Sequence, residues 1–489
     1  MPETGYPSEY EPVIGLEVHA QLKTDSKIFC GCRAEYGASP NSFTCPVCLG
    51  LPGALPVLNK KAVEYAIRFI LAVGGNIRHH SLFERKNYFY PDLPKGYQIS
   101  QYQLPLGEGG MISYKSGSSA GTKVVRLKRT HLEEDAGKSL HPQEREGHTR
   151  IDLNRCGIPL LEIVSEPEIT SPREAHAFLL KLKQILQYLD ICSGNMEKGH
   201  LRCDANISVR RKGESEFGTR TEIKNMNSFR GVERALASEI NRQADLLKSG
   251  KSVEQCTMLW NAETMRAEPM RSKEESEDYR YFPEPDLVNL VIDENWINRC
   301  RAVLPEFADE RAERFVRQYN IPETDAAILT ETRGLADYYE AVMTEFDDGK
   351  MASNWIMTEL LRLINEEKAE IANFRINPEM TAELLGHVKS GEISGKIAKE
   401  IFNEMAQTGK AAAEIIAVNE IIQISEQAQI ETVVAEVLSE NKAGVERYLH
   451  GKVQLFEFLV GQIMKKTGGR ANPRLVNKIL QEKLDELAR

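Results

Sequence analysis

No stretch of this chain approaches the roughly 18 consecutive apolar residues that a membrane-spanning helix needs, so no span is predicted. The opening residues, MPETGYPSEYEP, have neither the basic start nor the apolar centre of a secretory signal, and a cytoplasmic location is expected. Positive charge is not in excess either. A formal net charge of −10 over 489 residues argues against a surface that coats nucleic acid throughout. The phosphate-cradling loop G-x-x-x-x-G-K-[ST] is missing: DAGKS at 135–139 lacks the upstream glycine, which excludes a P-loop nucleotide site. No Cys–His set reads as a glutaminase. What remains is a soluble globular composition, 41% hydrophobic and 27% charged, with length enough for about two to four domains.

Residues 13–22 read VIGLEVHAQL, with polar side chains at every second place. As a strand, this segment puts Glu17, His19 and Gln21 on one face and Leu16, Val18, Ala20 and Leu22 on the other. Side chains two apart on a strand stand about 6 to 7 Å from each other, close enough for a carboxylate and an imidazole to share a cation. Alone, this is equally the pattern of a half-buried strand with one wet face.

Later segments repeat the pattern. Residues 150–154 place Arg150, Asp152 and Asn154 on one face of a predicted strand. Glu162 stands inside the apolar run GIPLLEIV, where a lone carboxylate must be paired, protonated or bound to metal. Residues 201–210, LRCDANISVR, alternate most cleanly, aligning Arg202, Asp204, Asn206, Ser208 and Arg210; such a face is either a salt-bridged surface or the floor of a nucleotide site. Glu133, Glu134 and Asp135 follow one another at the end of a predicted strand and repel unless a cation or basic partner is near, but strand parity alone does not choose among them. Residues 84–102, ERKNYFYPDLPKGYQISQY, form a polar, aromatic loop and strand in which Lys86, held between aromatics, suits a phosphate clamp or, equally, an exposed lysine beside a packed aromatic cluster.

Cys30, Cys32, Cys45 and Cys48 have the spacing C-x-C, twelve residues, C-x-x-C, which in a reducing compartment predicts a tetrahedral zinc knuckle. Four sulfur ligands leave no open position, so this metal is expected to be structural. The other five cysteines are isolated. After about residue 295 strand alternation gives way to helical patterns, with a weak break near 408–414, predicting domains over 1–295, 296–412 and 413–489. The last 49 residues carry ten Lys/Arg against five Asp/Glu, a balance that fits either a solvated helix pair or a polyanion partner.

The motifs VIGLEVH, RKNYFYPD, HLEEDAGK, GIPLLEIVSEP, LRCDANISVR and DYRYFPEPD, with SGKIAKE and FLVGQIMKKTGGRANPRLVN near the C-terminus, resemble the B-subunit family of the bacterial aspartyl/glutamyl-tRNA amidotransferases over essentially the whole chain. The resemblance implies an α+β fold: a mainly antiparallel, glutamine-synthetase-like cradle followed by two all-helical domains, the last YqeY-like. It implies an ATP- and Mg²⁺-dependent ligase that phosphorylates the side-chain carboxylate of Asp-tRNA(Asn) or Glu-tRNA(Gln). Ammonia delivered from an amidase-type A subunit would then displace phosphate, and a small C subunit would complete a heterotrimer. By the same resemblance Glu17, His19, Glu134 and Glu162 are the expected Mg²⁺ ligands, and Lys86 and Asp204 belong to the phosphorylation site. Asn154 and Arg202, which share predicted strand faces with these groups, are added as nucleotide contacts. The basic tail, with Lys465, Lys466, Arg470, Arg474 and Lys478, is expected to meet tRNA phosphates. Two rivals predict otherwise. A free-standing ligase of small carboxylic acids would need neither helical appendix nor partners, and a non-catalytic tRNA-binding scaffold would tolerate loss of Glu17 or Glu162.

Overall fold

The computed structural model describes residues 9–115, 121–140, 149–270, 279–418, 427–450, 452–467, 471 and 473–487. They form two compact units, Met1–Phe307 and Ala308–Arg489. The fold is mixed α+β, with the strands in the first unit and helices throughout the second.

The first unit is built on a ten-stranded sheet. Its central strand is the predicted one, Tyr10–Gln21, which pairs antiparallel with Leu201–Arg211 on one side and Pro159–Ser165 on the other. Beyond Leu201–Arg211 lie Thr221–Met226, Thr257–Asn261 and Arg266–Pro269; beyond Pro159–Ser165 lie Thr122–Glu134, Gly107–Glu108 and Asn76–Ile77. Every pairing along this path is antiparallel except that of Thr221–Met226 with Thr257–Asn261.

One face of the sheet is apolar and covered by helices. Leu16, Val18, Ala20, Leu132, Leu161, Ile163, Ala205 and Ile207 are almost completely buried, and they join the buried faces of helices Lys60–Ala72, Pro172–Tyr188 and Phe229–Lys248 in one core. These helices start where local chemistry dictates. Asn59, Ser171 and Ser228 each accept a hydrogen bond from a backbone amide of the first turn, and Pro172 follows Ser171 at the first helical position, where its missing N–H costs nothing. Helix Phe229–Lys248 buries Val232, Ala235, Leu236, Ile240 and Ala244, the three-and-four spacing of an amphipathic helix. The other sheet face carries the polar alternates and is left uncovered by these helices.

The texture change near residue 295 falls inside helix Glu294–Ala302, whose Ile297 and Cys300 pack into the core of the first unit. The second unit has two separate apolar cores. Phe315, Tyr339, Ile356, Leu385 and Phe402 belong to one, and Ile430, Val434, Leu459, Ile463 and Leu480 to the other. Among the described residues no helix is long and apolar enough to cross a membrane.

Candidate functional site

Register brings the polar alternates of four strands into one row. His19 lies opposite Glu162 on one neighbour and Arg202 on the other, and Glu162 in turn lies opposite His131. His19 Nε2 is 3.4 Å from a Glu162 oxygen and 3.5 Å from a Glu133 oxygen. One donor atom each from His19, Glu133 and Glu162 fall within 4.8 Å of one another, as a shared cation requires. His131, 2% exposed, backs the trio with Nε2 3.2 Å from Glu162 and 4.0 Å from Glu133.

The electrostatics show two carboxylates that need positive charge between them. Burial and the facing charge of Glu162 push the Glu133 carboxyl up, while His19, His131 and Lys86 oppose that rise. Burial acts against the Glu162 carboxylate too, but the charges and hydrogen bonds of His131 and His19 outweigh it and hold the group well below the usual carboxylate range. His19 resists protonation by burial, yet its hydrogen bond to Glu162 and the charges of Glu162 and Glu133 raise it to about 9. The two carboxylate donors fit a hard divalent cation such as Mg²⁺ or Mn²⁺, whereas the imidazole is a donor that softer first-row metals prefer.

Glu134 is not part of this trio, contrary to the expectation from resemblance. Successive residues of a strand point to opposite faces, so Glu133 and Glu134 cannot both line one site. Glu134 turns away, ion-pairs with Lys95 and accepts the Ile99 N–H at 2.8 Å. Beside it lies a cavity of about 190 Å³ that also touches Cys30 and Cys48.

Glu17 shares the polar face but stands outside the trio. It faces Asp204 across the pair and accepts the Asn206 side-chain N–H at 2.8 Å. Burial, then the charges of Glu162 and Glu222, raise the Glu17 carboxyl; burial likewise raises Asp204. Arg202, opposite His19, is tied to Asp135 at 2.9 Å. The Glu17 end opens into a cavity of about 240 Å³ lined by Gly15, Lys128, Ser208, Phe217 and Arg220.

Lys86 lies on strand Glu84–Asn87, its ammonium 4.6 Å from the ring centre of Tyr279 and 5.8 Å from that of Tyr88, within electrostatic reach of Glu133. Asn154 does not join the site. The strand it was assigned to ends at Asp152, and Asn154 donates to the Ser39 carbonyl and accepts the Phe43 N–H, 2.7 and 2.8 Å. It therefore fastens the loop between the cysteine pairs instead of contacting a nucleotide.

The four cysteines of that loop converge, with sulfurs within 4.8 Å of one another. Lys27, fully buried, points its ammonium at Cys48 Sγ (3.7 Å) and donates to the Phe43 carbonyl at 2.7 Å. A hydrogen bond from Cys30, opposed by burial and aided by the Cys45 amide and Lys27, brings the Cys48 thiol down to about 4. A buried ammonium against clustered sulfurs is the charge balance a thiolate metal cluster needs. Gly157, at φ +83°, passes beside this cluster, and a Cβ there would meet both Cys48 and Lys27 at 3.5 Å.

In the tail, Lys465, Lys466 and Lys478 are all exposed; Lys466 pairs with Glu436 and Glu440 at 2.9 and 2.6 Å, and Lys478 lies 4.0 Å from Glu482. Arg470 lies outside the described residues, as does the side chain of Arg474.

Comparison with known proteins shows the family. The GatB/GatE catalytic domain family matches residues 12–298 and the GatB domain matches residues 337–484. The B subunit of the aspartyl/glutamyl-tRNA(Asn/Gln) amidotransferase of Thermodesulfovibrio yellowstonii is 51% identical over 479 residues, covering 98% of this chain and 100% of the relative. Its counterpart from Prosthecochloris aestuarii is 52% identical over 477 residues, covering 98% of each. That from Moorella thermoacetica is 51% identical over 477 residues, covering 97% and 100%. With a catalytic-domain match over the polar sheet face and likeness along nearly its whole length, the chain belongs to the family of aspartyl/glutamyl-tRNA(Asn/Gln) amidotransferase B subunits.

Proposed function

We propose that the polar sheet face carries the phosphorylation half of a glutamine-dependent transamidation. The observation that carries this reading is the convergence of His19, Glu133 and Glu162 on one cation-sized space. The γ-phosphoryl of ATP passes to a side-chain carboxylate oxygen of Asp-tRNA(Asn) or Glu-tRNA(Gln), with ADP as leaving group. Ammonia then attacks the acyl carbon of the mixed anhydride, phosphate departs, and the amide is left after proton loss. Phosphoryl transfer asks little covalent work of a protein and much positioning and charge neutralisation.

His19, Glu133 and Glu162 would hold Mg²⁺, which when bound supplies positive charge to the transferring phosphoryl oxygens. Lys86, next to Glu133 and without an ion-pair partner among the described residues, is placed to meet a phosphate. Glu17 and Asp204, paired across the strands and raised by burial, stand at the edge of the same face as acceptors for the proton that the amide nitrogen loses. Arg202, anchored to Asp135, adds positive charge beside His19.

The same reading assigns zinc to the four cysteines as a structural ion. It gives the glutaminase step to an A subunit, with a small C subunit completing the assembly in the cytoplasm. It divides the chain into a cradle, a middle helical domain and a tRNA-binding tail starting near residue 413. In the assembled enzyme, given ATP, glutamine and each mischarged tRNA in turn, Glu162→Gln is expected to abolish tRNA-dependent ATP cleavage while glutamine hydrolysis persists. Transamidation at the wild-type rate in that variant would overturn the reading.

A further inference from the structure

Beyond the Glu133 side of the cation site stands a wall of four tyrosines drawn from three segments. Tyr102 and Tyr281 are stacked, with ring centres 4.3 Å apart and planes within 9°. Tyr279 meets Tyr281 and Tyr88 edge to face, each at 6.1 Å. Cations are interleaved with the rings. Lys86 lies over Tyr279, and the Arg129 guanidinium sits 5.7 Å from the Tyr102 ring centre while reaching 3.8 Å from Glu162. Arg129 thus bridges the wall to the cation site.

The wall is held in place from both sides. Arg280, between two of its tyrosines, has φ +44°, a left-handed conformation that a non-glycine residue adopts only under constraint. Asn87 supplies the constraint, donating its side-chain N–H to the carbonyls of both Tyr279 (3.2 Å) and Arg280 (2.9 Å). Glu84, completely buried, accepts the backbone N–H groups of Tyr102 and Gln103 at 2.9 and 2.7 Å and fixes the opposite side. Nothing in the proposed chemistry requires such alignment of rings. Tyr102 remains 48% exposed, and Phe89 and Tyr90, which follow Tyr88 in the chain, are 87% and 62% exposed.

We propose that this wall is a stacking platform for the unpaired 3′-terminal nucleotides of the aminoacyl-tRNA, holding the strand so that its terminal amino acid reaches the cation site. The inference rests on the functional reading above and names how that substrate is gripped. Aromatic rings interleaved with cations are how proteins seat successive bases of a single strand without reading their sequence. Rings drawn from three segments on an open face suit a strand, whereas a free nucleotide favours a concave cleft such as the cavity at the Glu17 end.

The test uses the assembled amidotransferase with Tyr102→Leu, Tyr281→Leu and their phenylalanine counterparts. Each leucine variant is expected to raise KM for mischarged tRNA by about 5- to 150-fold, the range for one lost base stack, with KM for ATP within about twofold. Phenylalanine should restore it. Removing the unpaired 3′ nucleotides from the tRNA should weaken equilibrium binding to wild type by a similar factor and leave binding to Tyr102→Leu unaltered, a coupling that a purely structural tyrosine would not show. A rise in KM for ATP with tRNA affinity unmoved would assign the wall to the adenine of ATP and overturn the proposal. So would leucine variants equal to wild type in both. If the wild-type enzyme cleaved ATP with no dependence on mischarged tRNA, the functional reading itself would fall, and the platform with it.

Discussion

Replacing Glu133 and Glu134 by glutamine, one at a time, tests whether strand parity has been read correctly, because the two neighbours should fail in different ways. Glu134 is paired with Lys95 in a setting where the two side chains are only 2% and 5% exposed. Glutamine can still accept the Ile99 N–H but leaves the buried ammonium without a counter-charge, a loss of about 3–5 kcal/mol. Against a total stability of about 5–15 kcal/mol, and with a urea dependence of about 3 kcal/mol per molar, the unfolding midpoint should drop by about 1–2 M. Glu133 is the opposite case. Its carboxyl is disfavoured by burial and by Glu162, so Glu133→Gln relieves repulsion in the metal-free protein and should leave the midpoint unchanged or raised. It removes a charge from the cation site, and tRNA-dependent ATP cleavage should fall by about 100-fold or more. Urea titration monitored by circular dichroism without added divalent cation, beside ATP cleavage by the assembled enzyme, gives both readings. Loss of activity without loss of stability in Glu134→Gln, together with an active Glu133→Gln, would show that the faces are assigned the wrong way round.

Three further outcomes are expected. Cys48→Ser should lower zinc content measured by metal analysis, and Lys27→Met should weaken zinc by about tenfold in competition with a chromophoric chelator, because it removes the buried charge facing the sulfurs. In the tail, Lys465→Gln should lower the slope of log tRNA affinity against log salt by about 1, while Lys466→Gln should change it less, since Glu436 and Glu440 already neutralise Lys466. In the helical unit, the bonds that Asp325 accepts from Lys350 and Ser353 outweigh burial and lower its carboxyl. A depressed carboxyl stabilises above its unfolded value of 3.8 and loses that contribution as pH falls through the folded value, so Lys350→Met should flatten the acid limb of the unfolding curve below about pH 4.

Which parts of the site could be read from the sequence follows from how each residue finds its partners. Glu17 and His19, and Arg202 and Asp204, lie on strands that alternate without interruption, so two-residue periodicity alone put them on common faces. The four-cysteine cluster was legible because its sulfurs come from within 19 residues and their spacing carries the geometry. Asn154 was misread because its partners, Ser39 and Phe43, are more than a hundred residues away and nothing local marks the end of its strand. Glu133 and Glu134 show the harder limit. In strand Thr122–Glu134 the buried Val125 and Leu127 share odd-numbered positions with Glu133, so simple alternation would put Glu133 in the core. The pairing with Pro159–Ser165 shifts between Val164 and Ser165, where Arg129 and then Leu127 are the partners and Lys128 is skipped. That irregularity exchanges the faces halfway along the strand and turns Arg129, His131 and Glu133 toward Glu162 while Leu132 goes to the core. A bulge is a property of two strands together, so neither strand's own sequence announces it. The cation site depends on it nevertheless, because an unbroken register would have presented Glu134, with Lys95 beside it, to the polar face, and left Glu133 and His131 facing the apolar core.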